Sequence, residues 1–300
     1  MAAGFAVERE APGSFGEPTQ LALRAFQSAN GLEDHGECDA STWSALVEAQ
    51  FRPGDRLLCL RSPMMRGDDV ADLQLRLGAL GFDAGRVDGI LGPVTQTAIG
   101  EFQRNAGLVT DQVCGPETVE ALVRLEGRGG NSPVTAVREL EHLRRSFASL
   151  AQVHVALGME EGLHPLLAGL AASLQAAGTK VNVVDGDWSA QAVQSNKNGA
   201  DVYLGLILSD DPVIEARYFS TPGFESRGGR RLAELIVTEL PATPGWSIGT
   251  VRGMRMPILR ETRAPAVVVK LGSTRPLDED QGLIVASLHR ALERWPDDPE

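Results

Sequence analysis

Apolar positions in the second quarter of the chain recur at helical spacing. Val70, Leu73, Leu77 and Leu80 fall three or four residues apart, and Thr95, Ala98, Ile99 and Phe102 follow the i, i+3, i+4, i+7 pattern, so each set lines one helix face. Gly81, Gly92 and Gly107 stand where helices stop or turns begin. The pattern therefore predicts three short helices, Asp68 to Leu80, Pro93 to Ala106 and Pro116 to Arg124. Beyond Leu150 the pattern changes, and short apolar runs alternate with amphipathic stretches. Strands are predicted at 153–157, 181–184, 202–208, 213–219 and 266–271, and helices end at Ala177 and Asn198 or run Ser226 to Leu240 and Leu283 to Trp295. That alternation predicts an α/β domain with a mostly parallel sheet flanked by helices.

The first quarter repeats the second. Phe15-Gly16, Thr19-Gln20, Phe26-Gln27, Gly31-Leu32, Cys38, Thr42 and Leu46 fall without a gap on Leu91-Gly92, Thr95-Gln96, Phe102-Gln103, Gly107-Leu108, Cys114, Thr118 and Leu122. The first copy begins where the first helix of the second copy is ending, so its first helix is missing; either the true start lies upstream of Met1, or the repeat completes its core against another element. Between the halves, Gly127-Arg128-Gly129-Gly130-Asn131-Ser132-Pro133 reads as a flexible connector, and Pro133 opens a helical pattern through Leu143. The acids Glu139 and Glu141, interleaved with the arginines from Arg138 to Arg145, mark a solvated face. The chain is thus multidomain: a truncated all-α repeat over 1–50, a complete three-helix repeat over 60–126, a linker and helix over 127–150, and an α/β domain over 151–300.

The set Gly67-Asp68-Asp69-Val70, Leu73-Gln74, Leu80-Gly81-Phe82, Val87-Asp88-Gly89, Gly92, Thr95, Phe102-Gln103, Gly107-Leu108, Gly115 and Thr118 resembles the peptidoglycan-binding domain of cell-wall hydrolases. The resemblance implies a three-helix module whose groove takes a peptidoglycan stem peptide. We expect the better ligand site in the intact second copy, near Asp88, Gly92, Thr95 and Gln96. These signature residues are mostly turn glycines and core leucines, so they specify a fold more directly than a ligand.

The second half, through Pro257-Ile258-Leu259-Arg260-Glu261-Thr262, Pro265-Ala266-Val267-Val268-Val269 and Gly199-Ala200-Asp201-Val202-Tyr203, resembles the zinc N-acetylmuramoyl-L-alanine amidases. The order of two binding repeats and then an amidase domain is similar to that of amidase-homologue regulators of peptidoglycan synthesis. Such amidases hold zinc with histidine and glutamate at the carboxyl ends of strands, and a further glutamate assists the attacking water; a catalytic zinc needs about three protein ligands and an open position. Here Met159 takes the first histidine's place, Glu160 and Glu161 are the only carboxylates left on a shortened loop, Ile207 replaces the second histidine, and Lys270 stands for the catalytic glutamate. The resemblance therefore implies a vestigial site with no catalytic residue, no metal and no cofactor. The alternative is a working zinc amidase cleaving the bond between N-acetylmuramic acid and L-alanine, with a site rebuilt from His154, His164 and Glu161. In the vestigial reading, Lys270 replaces the lost metal charge and pairs with Glu160 or Glu161.

Composition narrows the partners. A net charge of -12 argues against nucleic acid and anionic membranes, since phosphate binding relies on basic patches. No stretch reaches the ~20 apolar residues of a membrane helix. Met1 to Glu10 lacks the basic start and apolar run of a signal peptide, so the expected location is the cytoplasm. Cys38, Cys59 and Cys114 show no close pairing and read as buried thiols, the first and last as equivalent small core residues of the two repeats. No Gly-x-Ser-x-Gly elbow or phosphate loop is present, and Gly228-Gly229 opens a helix as a turn or cap. The expected ligands are peptidoglycan fragments or precursors, with a cell-wall synthesis protein as a further partner. The expected role is a non-catalytic sensor or regulator of cell-wall metabolism, and the blandest option is an amidase fold that only carries the repeats.

Overall fold

A computed structural model describes Phe5, Val7, Glu10, Ala11 and residues 13–125, 149–160, 162–210, 213–240, 247–272 and 274–296. The connector after Glu126 and the helical pattern from Pro133 lie outside the described residues. Chain contacts divide the protein into a helical unit and an α/β unit, and each is taken by itself.

In the helical unit, the first copy holds α1 (Glu17–Ala29) and α2 (Ala40–Glu48), and the second holds α3 (Asp68–Ala79), α4 (Pro93–Ala106) and α5 (Pro116–Arg124). The second copy's boundaries follow local chemistry. Gly92 precedes α4 with Pro93 at its start, where a missing N–H costs nothing, and Gly107 ends it in the left-handed region at φ 72°. Val70, Leu73 and Leu77 of α3 are buried in one core with Leu91, Ile99 and Phe102. The first copy has a smaller core of Leu23, Phe26 and Leu32, with Phe5 edge-on to Phe26 as Phe82 is to Phe102.

The α/β unit is built on a seven-stranded sheet ordered β2-β1-β3-β7-β4-β5, with β6 also paired to β4. Its strands are β1 (His154–Met159), β2 (Lys180–Val183), β3 (Val202–Leu208), β4 (Val213–Thr221), β5 (Phe224–Glu225), β6 (Ser247–Met254) and β7 (Ala266–Leu271). The run β2-β1-β3-β7 is parallel as expected. Beyond β7 the direction reverses, because β4 pairs antiparallel to β7 and β6 runs parallel to β4, so the sheet is mixed. One face carries the main core: Val155, Leu204, Leu206, Val267 and Val269 pack with α6 (His164–Ala176), α8 (Arg227–Glu239) and α10 (Thr274–Arg294). Near-continuous apolar strands are what a sheet covered on both faces requires. The other face is covered by α7 (Trp188–Asn198) and the short α9 (Pro257–Glu261), which Asn196 ties together by donating to the Glu261 carbonyl at 2.8 Å.

The glycine pair 228–229 opens α8 as expected of a cap: Ser226 Oγ accepts from Gly229 N at 3.1 Å. A Cβ at Gly229 would lie 3.2 Å from the Ala266 carbonyl, so the glycine also lets the helix approach the sheet.

Candidate functional site

In the second repeat, Asp88 and Thr95 are engaged by a buried glutamine. Gln74 Nε2 donates to Asp88 Oδ1 at 2.9 Å, to the Ile90 carbonyl at 3.1 Å and to Thr95 Oγ1 at 3.2 Å. Its Oε1 accepts from Gly89 N at 2.8 Å, while Asp88 Oδ1 also accepts from Ile90 N and Thr95 Oγ1 donates to the Ala84 carbonyl. Both ends of the buried amide are satisfied, which pins the loop between α3 and α4.

The same knot recurs between α4 and α5. Gln103 Nε2 donates to Asp111, the Val113 carbonyl and Thr118, and its Oε1 accepts from Gln112 N at 2.9 Å. It recurs again in the first copy, where Gln27 meets Thr42, the Glu37 carbonyl and Gly36 N, with His35 Nδ1 in the aspartate's place. Of the four expected peptidoglycan-site residues, Asp88 and Thr95 therefore shape the loop, and Gly92 caps α4 beside the half-exposed Gln96. Sequence reasoning assigns these glutamines no role beyond matching the repeat pattern. The signal for one lay in the chain, since Gln27 to Thr42 and Gln103 to Thr118 are both fifteen residues apart.

In the α/β unit, the expected vestigial residues separate by sheet face. Ile207, buried, and Lys270, half-buried, are register partners on β3 and β7 and share one face. Met159, at the end of β1, lies on the other face and packs against the main core. Glu160 follows it as an exposed residue, its N–H donating to the Leu206 carbonyl at 3.1 Å. Glu161 lies outside the described residues.

The space beneath these positions is filled. Tyr203, fully buried on β3, donates from its hydroxyl to Gln191 Oε1 at 2.7 Å, and Gln191 Nε2 donates to the Met159 and Gly186 carbonyls. Burial pushes the Tyr203 phenol up, and the nearby Glu160 charge adds to the shift. The ring fits because Gly158 and Gly205 lack side chains; a Cβ at Gly158 would overlap both Gln191 Oε1 and the Tyr203 hydroxyl. On β4, Glu215 is the register partner of Lys270, and Arg217 Nε lies 2.5 Å from Glu215 Oε1 with its side chain 3% exposed. Sequence reasoning missed this acid and arginine because nothing in the strand pattern says which strand lies beside β7.

Of the rebuilt metal site, only His154 and His164 are among the described residues. His154 sits at the first residue of β1, about 16 Å of strand from the carboxyl edge. Its N–H donates to Asp201 Oδ2 at 2.9 Å, and its ring Nε2 lies 2.5 Å from Asn182 Oδ1. His164 is exposed at the start of α6. Among the described residues no three His, Cys, Asp or Glu side chains converge as a metal-holding group. With an apolar chain at 207, an ammonium at 270 and Met159 on the opposite face, the described residues do not fit a zinc ion.

Cys38 corrects an expectation. Cys114 is 1% exposed, and burial, assisted by the charges of Asp69, Asp111 and Asp72, pushes its thiol up to about 12. Its repeat equivalent Cys38 is exposed, whereas Cys114 is bridged to Leu58 and lines a cleft with Asp69, Asp72 and Leu73 of α3. All three cysteines are free.

Helical peptidoglycan-binding repeats followed by an amidase-like α/β unit define the class. Residues 1–46 and 66–122 match the family described as "Putative peptidoglycan binding domain". The chain is 33% identical over 302 residues to N-acetylmuramoyl-L-alanine amidase CwlM of Mycobacterium tuberculosis, covering 90% of this chain and 74% of that protein. It therefore belongs to the N-acetylmuramoyl-L-alanine amidase family that includes CwlM. A probable N-acetylmuramoyl-L-alanine amidase of Bacillus licheniformis is 30% identical over 141 residues, 42% of this chain and 40% of that protein. Among solved structures, the amidase AmiC2 of Nostoc punctiforme is similar at 14% identity and TM-score 0.40, over 48% of this chain and 98% of that one.

Proposed function

We propose that this protein is a non-catalytic pseudo-amidase, which binds peptidoglycan fragments or precursors and acts in the cytoplasm as a sensor or regulator of cell-wall synthesis. The observation that carries this reading is the set of side chains at the expected site: Ile207 and Lys270 are register partners on one sheet face, where the Tyr203 and Gln191 pair is also buried, and Met159 packs on the opposite face. An amidase requires an open metal position and a water at that edge. Lys270 supplies positive charge in place of the metal, with Glu215 beside it in the sheet and Glu160 just past the end of β1. The second repeat supplies the better ligand surface, around Gly92 and Gln96, with Asp88 and Thr95 holding the loop in shape. A cell-wall synthesis protein is the downstream partner in this reading.

Metal analysis of the purified chain, paired with incubation on peptidoglycan and a muropeptide titration, tests it. We expect no stoichiometric zinc, no release of stem peptide and a saturable muropeptide signal that weakens on deletion of residues 66–125. One tightly bound zinc per chain with stem-peptide release would instead establish a working amidase.

A further inference from the structure

In two of the three glutamine knots the loop offers an aspartate to the buried amide, and in the first copy it offers a histidine. Asp111 accepts from Gln103 Nε2 at 2.7 Å and from Val113 N at 2.9 Å. At the equivalent position the ring of His35 takes both contacts through one nitrogen: Nδ1 accepts from Glu37 N at 2.9 Å and lies 3.4 Å from Gln27 Nε2. Gln27 is oriented by its other partners, since its Oε1 accepts from Gly36 N at 2.8 Å while its Nε2 donates to the Glu37 carbonyl and to Thr42 Oγ1. An ionised carboxylate always accepts, whereas an imidazole nitrogen accepts only while it carries no proton.

Two N–H groups therefore face His35 Nδ1, which assigns the neutral ring its hydrogen on Nε2. Nε2 in turn lies 3.6 Å from Asp39 Oδ2 at the start of α2. A second proton can enter only at Nδ1, where it would point at the N–H groups of Glu37 and Gln27. Histidine is the side chain that ordinarily gains its charge between about pH 8 and 5. The carboxyl of Asp111, held below its usual value, does not change over that range. The charged groups around the ring are Asp39 at the cap of α2, Arg24 of α1, whose side chain abuts Gly36, and Glu33, Asp34 and Glu37 of the loop itself. These acids accommodate the charge of an imidazolium, so what the proton disturbs is the pair of facing donors.

The loop matters for what it covers. Gly36, at φ 79°, packs so closely on α1 that a Cβ there would lie 2.7 Å from Gln20 Cγ and 2.8 Å from Arg24 Nε. Gln20 is the repeat counterpart of Gln96. We propose that the first repeat carries a proton-operated loop, closed over Gln20 and Arg24 while His35 is neutral and loosened when Nδ1 is protonated. The second repeat, with an aspartate in each of its knots, does not respond over the same range.

Water-exchange NMR of the full isotope-labelled chain tests this, with amide protection corrected for the intrinsic pH dependence of exchange. From about pH 7.5 to about pH 5, we expect protection at Gly36 and Glu37 to fall about fivefold relative to their counterparts Gln112 and Val113, the size of one lost hydrogen bond. His35→Asp, which copies the acceptor of the second repeat, should abolish that fall while keeping Gly36 protected. Ring-nitrogen spectra of the parent chain at the upper pH should place the proton on Nε2. Level protection in the parent chain, the same fall in His35→Asp, or a neutral ring protonated at Nδ1 would each overturn the proposal.

Discussion

Three glutamine knots solve one problem, how to close a short interhelical loop around a buried amide, and they differ in the backbone they demand. The residue donating its N–H to the glutamine is Gly36 at φ 79° in the first, Gly89 at φ 70° in the second and Gln112 at φ 62° in the third. A left-handed conformation disfavours a side chain by about 1–2 kcal/mol, so glycine is the fitting residue at all three places. Gln112→Gly should therefore stabilise the second repeat by about 1 kcal/mol, reduced by the lost contact of Gln112 with Gly100. A higher thermal midpoint for the variant checks this, and a lower one would show that the side-chain contact dominates. The third knot also predicts a pH dependence. The Asp111 carboxyl is held below its usual range by the Val113 N–H and then by the Gln103 amide. A carboxyl lowered in the folded state stabilises above its unfolded value, about 3.9, and loses that contribution as pH falls through the folded value. Asp111→Asn should accordingly melt below the parent protein at about pH 6, with the gap closing as the solution is acidified past the carboxylate range.

At the scale of elements, the fit of Tyr203 between two strands and α7 makes small residues indispensable. Gly158→Ala would drive a methyl into Gln191 Oε1, and overpacking of this kind costs about 1–3 kcal/mol. Tyr203→Phe keeps the ring but leaves the buried Gln191 oxygen without its donor, a loss of about 1–3 kcal/mol. Both should appear as lower urea midpoints, and an unchanged midpoint for Gly158→Ala would mean that Gln191 moves aside freely. The elements themselves were largely legible: α4 and α5 fall on the predicted bounds, since proline and glycine punctuate them, and β3 and β7 follow their apolar runs. β6 was not, because Ser247-Ile248-Gly249-Thr250-Val251-Arg252-Gly253 lacks a continuous apolar run and carries polar residues and glycines through its length. The reversal at β4 was equally hidden, for strand direction depends on a connection and not on the residues of the strand. The knots were hidden for a different reason: a glutamine at a helix position looks solvated until its loop partners are folded around it.

Across the whole α/β unit, the pseudo-amidase reading puts more than three substitutions between this chain and an active enzyme. A zinc site needs about three side chains converging on one point with a fourth position open. Ile207 and Lys270 meet this requirement in part, since they are neighbours on one sheet face, and a histidine and a glutamate there would point the same way. Met159 does not, because its side chain belongs to the core on the far face and a histidine in its place would be directed toward the helices. The same face also carries the buried Tyr203, which donates to Gln191, and Gln191 in turn donates to the carbonyl of Met159 itself. Combining Met159→His, Ile207→His and Lys270→Glu should therefore fail to create a tight zinc site. Calorimetric titration of the folded triple variant should show no stoichiometric zinc binding, and adding Tyr203→Ala, which opens the face without turning residue 159, should not rescue it. Stoichiometric zinc bound by the triple variant alone would mean that the β1 edge rearranges readily and that only side-chain identity separates this chain from an amidase.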